Sequence, residues 1–425
     1  MKRITIIALT LALTGIPLFA TGQQEAPTGG AMKATSNTVN ENVTGTITVW
    51  HYFSVDSQVQ ELKDLAALFN KTYPNVKVDY VFVPYDQLPN KVVAAAAANT
   101  GPDVVLYNGP TIGQLVDADA LKDLGPYWNS LADKDLFAPA VINSINGKLY
   151  GVQGYVNLLG LWYNKDILDK LGVKPPKTTS ELTADMKKAV AAGYKGITLT
   201  GKPNDQGEWQ AYPWLSAYGW SYENPTAAAA EKAYGLMSSW VADNLLSKIV
   251  VTWGQAEPFQ AFTVGDVAFA ENGNWQLGTA KSSAKFQYGV VPMPSGSQNA
   301  KVYLGGEAES IGAFSKNPDL AWAYLKSTYF SKEGQLIAFR DVGSIPSRRD
   351  AAQDPVVTSD QLLSPFATEV QSMGQVYPPA VGPVTEVENA QLAVAQQWSA
   401  VIAGQTTPAA AAKKAVTDVQ SELGK

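Results

Sequence analysis

Apolar residues recur along this chain with two alternating periods, and the order of those periods predicts a wound α/β fold. Residues 46–50 (TITVW) alternate apolar and polar as a half-buried strand does. From residue 57 to 73, Val59, Leu62, Leu65, Phe69 and Tyr73 return every three or four positions, the spacing of a helix face, with Ser57 and Gln60 expected to form a capping box. Residues 76–83 predict a second strand, 87–99 an alanine-rich helix, and 103–107 (DVVLY) a third strand, apolar after Asp103. Strands alternating with helices through short connections predict a parallel, doubly wound sheet. Ligands of such sheets sit beyond the carboxyl ends of the strands. The residues at those ends are Trp50, His51 and Tyr52, then Pro84, Tyr85 and Asp86, then Asn108, Gly109 and Pro110. They are aromatic and polar rather than aliphatic, which suits a binding site.

A second block opens near Tyr150. Strands are expected over 160–164, 196–200, 267–270 and 288–291, and helices over 166–171, 180–192, 227–242 and 318–330. Residues 387–423 read as helical, broken at 404–408. No repeat of solenoid period is visible. At 425 residues the chain has room for two lobes of ordinary domain size.

Other features narrow the function. Lys2 and Arg3, the apolar run 4–19, and small residues Ala20 and Gly22 predict a secretory signal peptide over 1–22. Residues 23–45 contain no aromatic and predict a flexible leader arm, spanning about 25 Å by chain statistics. The sequence contains no cysteine, so disulfides, thiolate metal sites and lipid attachment at a signal cleavage site are excluded. The expected location is therefore periplasmic or at the extracellular face of the cytoplasmic membrane, without a lipid anchor. His51 is the sole histidine, which leaves no multi-histidine zinc site. Net charge is −6 with no basic tract, so nucleic acid is not an expected partner. Residues 196–203 have the glycine and lysine spacing of a phosphate loop, but Pro203 stands where a Ser or Thr hydroxyl is needed. No cofactor and no metal are expected, and no nucleophile–base signature marks an enzyme.

The aromatic content points to a flat, hydroxylated ligand. There are 11 Trp and 19 Tyr, densest in 208–223 (EWQAYPWLSAYGWSYE), where Trp209 and Trp214 are candidate ligand contacts. Aromatic faces stack on the C–H faces of pyranose rings while amides and carboxylates take the hydroxyls. The stretch 271–275 (ENGNW) reads as a polar glycine loop after a strand, with Asn274 and Trp275 facing a ligand; Trp275 is expected to be a stacking platform and Trp162 a core residue. Gly305, Gly306 and Glu307 form a second candidate loop, and Arg340 a candidate guanidinium donor. Such a cleft would also suit a carbohydrate-active enzyme with paired carboxyls, and the same fold could serve a sugar sensor or adhesin.

Blocks in order along the chain carry a resemblance: TITVWH from residue 46, GPDVVLY from 101, GKLYG from 147, GLWYNKDILDKL from 160, then 175–182, 265–275, YGVVPMP from 288, 305–318 and 343–351. Together they resemble the extracellular solute-binding proteins of the carbohydrate-uptake, maltose-binding-protein-like group of ATP-binding-cassette importers. The resemblance implies two lobes around a ligand cleft, joined by crossings near 152–157, 303–307 and 343–347, with hinge closure on binding. It divides the chain into an N-terminal lobe of 46–153 and 306–345 and a C-terminal lobe of 154–305 and 346–425. It favours Trp50, His51, Asn108, Tyr155, Trp275, Gly306 and Glu307 as site residues. It also implies a monomer that takes a carbohydrate and passes it to membrane permease subunits. Many relatives carry a lipidated cysteine after the signal; this chain has none.

Overall fold

The computed structural model describes residues 39–425 except 54, 55, 86 and 380, so the signal peptide expected over 1–22 lies outside the described residues, as does the arm up to residue 38. Among the described residues, no helix is long and apolar enough to cross a membrane.

The first lobe forms around strands β1 (Gly45–His51), β2 (Val76–Phe82) and β3 (Val104–Asn108). In β1 the alternation predicted from the sequence appears as burial of Ile47, Val49 and His51 on one face. The helix Asp56–Asn70 buries Leu62, Leu65 and Phe69 against that face. Tyr73, expected inside it, follows a turn in which Asn70 Nδ2 donates to the carbonyls of Tyr73 (2.9 Å) and Val76 (2.7 Å). The expected capping box is absent because the helix already includes Ser57, and Gln60 Nε2 donates to Asp64 one turn on. β1 pairs in parallel with both β2 and β3. A hairpin of β4 (Ile142–Ile145) and β5 (Lys148–Val152) closes the far edge.

The short β6 (Tyr155–Val156) leads into the second lobe, built on β7 (Leu159–Asn164), β8 (Lys195–Thr198), β9 (Val267–Gly273) and β10 (Tyr288–Val291) in the order β10-β7-β9-β8. β7 is antiparallel to β9 and β10, and β8 is parallel to β9. Asn164 caps the helix Lys165–Leu171, and Thr178 with Glu181 forms a complete capping box on Thr179–Ala191. Helices Asp205–Ser216, Ala227–Ala242, Val384–Ala403 and Pro408–Glu422 pack together in this lobe.

After β11 (Val302–Tyr303), β12 (Glu307–Ile311) returns to the first sheet and inserts between β3 and β5, antiparallel to both, giving β2-β1-β3-β12-β5-β4. β13 (Ile345–Pro346) then pairs with β6, and β14 (Gly374–Gln375) with β11. The segments between the sheets are lashed to one another. Asn157 and Gly305 exchange both backbone hydrogen bonds at 2.9 Å. Ser347 Oγ donates to the Gly154 carbonyl at 2.8 Å, and Gln335 Nε2 donates to Ser347 Oγ at 3.1 Å.

Candidate functional site

Four strand ends of the first sheet meet at one edge. β12 runs antiparallel to β3, so its first residue, Glu307, stands opposite the last residue of β3, Asn108. Gly306 precedes it with φ +103°, a conformation that favours glycine. Tyr52 and Tyr85 leave the ends of β1 and β2, their rings in a T-shaped contact at 5.1 Å. Tyr52 donates to Glu307 Oε1 at 2.8 Å, and Asn108 Nδ2 donates to the Tyr85 hydroxyl at 2.9 Å.

The second lobe faces this edge with the start of the helix Asp205–Ser216, where Asp205 and Trp209, one turn apart, share a face. Trp275 follows β9, and Gln206, Gln255 and Tyr377 complete that side. Asn157, Gly306 and Glu307 line the wall nearest the crossings. Together they enclose a chamber of about 360 Å³. Two close approaches fix its aromatic plates. A Cβ on Gly305 would stand 2.1 Å from Trp209 Cη2, and one on Gly273 would stand 1.9 Å from Trp275 Cζ3. Both indoles therefore lie flat against backbone that must be glycine.

Two lining residues, one on each side, carry a polar atom closed off from solvent. Glu307 Oε2 and Trp209 Nε1 are buried and have no hydrogen-bond partner. Burial pushes the Glu307 carboxyl up, partly offset by the Tyr52 hydroxyl. Behind it lie Glu61 and Glu309, also raised by burial; Glu309 Oε2 accepts from the Gly154 amide at 2.8 Å.

Of the residues singled out from the sequence, Tyr52, Tyr85, Asn108, Trp209, Trp275, Gly306 and Glu307 line the chamber. Six others lie elsewhere. Trp50 turns to the opposite sheet face from His51 and packs under Lys91, whose Nζ is 4.7 Å from its ring. His51 is buried among Phe53, Tyr80 and Phe82, accepts from the Phe53 amide at 3.2 Å, and is held down to about 4 by burial. Tyr155 is buried in β6 beside Tyr329. Trp214 is core: its Nε1 donates to Glu271 Oε2 at 2.8 Å and its ring meets Trp240 edge-on. Arg340 is exposed on the helix Lys332–Val342, which packs against Asp56–Asn70. Asn274 is buried in the hinge, where Nδ2 donates to Asn157 Oδ1 (2.8 Å) and the Gly343 carbonyl (2.9 Å) while Oδ1 accepts from the Leu158 amide (2.9 Å). The stretch 271–275 is thus not a surface loop. β9 runs through Gly273 in ladder register with Leu159 to Tyr163, and Glu271 to Asn274 are all buried.

Sequence reasoning missed Gln58, Asn157, Asp205, Gln206, Gln255 and Tyr377. Asp205 and Gln206 could have been found, since they open the helix that carries Trp209 and a helix start faces outward from its lobe. Tyr377 carried no signal; it reaches the chamber through the packing of its ring 4.5 Å from Trp209 and 4.6 Å from Tyr303.

Comparison with known proteins gives consistent findings. The profile of the bacterial extracellular solute-binding protein family matches residues 64–365. A galactooligosaccharide-binding protein of Bacillus subtilis is 27% identical over 353 residues, covering 75% of this chain and 79% of its own length. A maltotriose-binding protein of Pyrococcus abyssi is 25% identical over 375 residues, covering 81% and 77%. The GacH receptor of Streptomyces glaucescens, solved unliganded and with acarbose, superposes with a TM-score of 0.76 at 27% identity, over 90% of this chain and 100% of that one.

Proposed function

The chain belongs to the bacterial extracellular solute-binding protein family, and from that premise we propose that it captures an oligosaccharide in the chamber between its lobes and delivers it to the permease of an ATP-binding-cassette importer. The observation that carries this reading is the pairing of aromatic side chains, Trp209 and Trp275, with amides and carboxyls, among them Asn108, Asn157, Asp205 and Glu307, around one chamber. Stacked rings offer the indoles their C–H faces, and hydroxyls both donate and accept, which suits the amides and carboxyls of the lining. Relatives that bind galactooligosaccharide and maltotriose support the same class of ligand.

In this reading the lobes divide at the lashed crossings, 46–153 with 306–345 against 154–305 with 346–425. Asp205, Trp209 and Trp275 belong to one lobe and Tyr52, Asn108 and Glu307 to the other, so only a closed form makes both sets of contacts and ligand shifts the equilibrium toward closure. The protein works as an exported monomer without a lipid anchor, and releases its ligand unaltered. A thermal-shift screen against neutral oligosaccharides tests the reading, because a ligand that binds only the native state raises its melting temperature. A concentration-dependent rise with at least one saccharide, recovered intact afterwards, is expected. No shift across the panel, or cleavage of the ligand, would overturn it.

A further inference from the structure

We infer that the chamber takes a saccharide bearing no anionic group, and that Asp205 and Glu307, on opposite walls, set this selectivity. The inference rests on the reading that the cleft binds a saccharide, and it bears on the choice between a neutral sugar and a glycosyl phosphate, which the residues alone do not decide.

Proteins hold anionic ligands with Arg or Lys forks and with the amides of helix N-termini. Among the described residues, no Lys, Arg or His lines the chamber. Three basic side chains illustrate where the cations lie instead. Arg348 is buried against Asp133 at 2.6 Å and Asp350 at 2.9 Å, Lys91 covers Trp50, and Arg340 is on an outer helix. One anion-attracting feature does reach the chamber, the N-terminus of the 12-residue helix Asp205–Ser216. It is already answered from within, since Asp205 sits in its first turn and the Asn204 side chain accepts from the Gly207 amide at 3.3 Å.

The opposite wall is more restrictive. Glu307 spends Oε1 on Tyr52 and leaves Oε2 buried without a partner, on a residue only 6% exposed that lines the chamber. Behind it, both oxygens of Glu61 and Oε1 of Glu309 are also buried and unpartnered, and among the described residues no Lys or Arg forms an ion pair with any of the three. Burial raises all three carboxyls, which lowers the charge on that wall without placing a positive one there. The two walls act on a common point: burial holds the Tyr85 hydroxyl up at about 12, and Asp205 and Glu307 both add to it. A ligand hydroxyl can donate to the Asp205 and Glu307 carboxyls that line the chamber. A phosphate or carboxylate would shed its water, bring mainly acceptors, and face Asp205 and Glu307 with no cationic side chain among the described lining residues to pair with it.

The test is calorimetric titration of the purified full chain with matched saccharides: neutral malto- and galacto-oligosaccharides beside counterparts that end in a uronic acid or carry a 6-phosphate. The neutral member is expected to bind and its anionic counterpart to bind about a hundredfold more weakly or worse. Asp205→Asn, at an exposed position, should narrow that gap by about tenfold through the freed helix N-terminus. Glu307→Gln should narrow it too while also weakening the neutral ligand. An anionic counterpart that binds as tightly as the neutral one overturns the inference and leaves the saccharide reading standing. A gap unchanged in a normally melting Asp205→Asn overturns the assignment to these residues. Failure of every probe overturns the saccharide reading itself, and the inference with it.

Discussion

Trp275→Ala separates a binding plate from a core residue. The Trp275 ring is half-buried, packs closely against Gly273 and lines the chamber. A pyranose stacked there would cover about 50 Å² of the ring, worth about 1.3 kcal/mol at 25 cal/mol per Å². Stacking in a desolvated cleft adds about 0.5–1.5 kcal/mol. The loss of about 1.8–2.8 kcal/mol corresponds to about a 20- to 100-fold weaker Kd. Trp162 is the control. It is fully buried among Phe259, Tyr288 and Phe366, and its Nε1 donates to the Asn272 carbonyl at 3.0 Å. Removing it should cost about 3–5 kcal/mol of stability, with affinity per folded molecule nearly unchanged. Titration calorimetry gives Kd and a melting curve gives stability for each variant. A Trp275→Ala protein that melts early yet binds normally when folded would show that the ring is core and refute the reasoning.

Other perturbations follow from the same geometry. Gly305→Ala puts a methyl 2.1 Å from Trp209 Cη2, so the plate must shift; Kd should rise about tenfold or more, and an unchanged Kd would remove Trp209 from the site. Arg348→Ala leaves the part-exposed Asp133 and Asp350 to solvent and strands the buried Phe330 carbonyl, at about 1–3 kcal/mol of stability, with ligand affinity unaltered in calorimetry. Stability should also fall on the alkaline side. The buried Glu208 carboxyl, which accepts from Tyr222, Tyr303 and Gln391, is pushed by burial from 4.5 up to about 8, and Glu61, Glu271, Glu309 and Glu369 are raised in the same way. A raised folded-state value gives stability that is full below about pH 4.5 and lost as pH rises through about 8, on the order of 5 kcal/mol for Glu208 alone. His51 works oppositely, its contribution lost as pH falls from 6.5 toward about 4. Melting curves should therefore show a lower midpoint at pH 9 than at pH 6, with a flatter alkaline slope in Glu208→Gln; equal midpoints would refute the buried-acid account.

The elements of this fold were largely legible because periodicity reports burial directly. Helix Ala227–Ala242 and strand β10 match the expected bounds, and most other elements differ by a few residues at their ends. What periodicity cannot show is a partner from far along the chain, which is why 307–311 was not read as a strand between β3 and β5, although the resemblance assigned 306–345 to the first lobe. The site was half legible for a related reason. The rule that ligands lie beyond strand ends picks out Tyr52, Tyr85 and Asn108, but it also picks Trp50 and His51, the last residues still pointing into the sheet faces. Trp209 and Trp214 are five residues apart, about 140° around a helix, so they could not share one face. Polar character misled at Glu271 to Asn274, where amides and a carboxyl are buried because they bond to backbone and to Trp214 rather than to water. Asn157 and Tyr377 come to the chamber only through tertiary packing.

The central claim is that a saccharide is held intact between the two lobes, and a crystal structure grown with the tightest-binding neutral oligosaccharide tests it most directly. The account predicts sugar rings against Trp209 and Trp275, a hydroxyl within hydrogen-bond distance of Glu307 Oε2, contacts from both lobes, and unbroken glycosidic bonds. Density for the sugar outside this chamber, or contacts from one lobe alone, would contradict it.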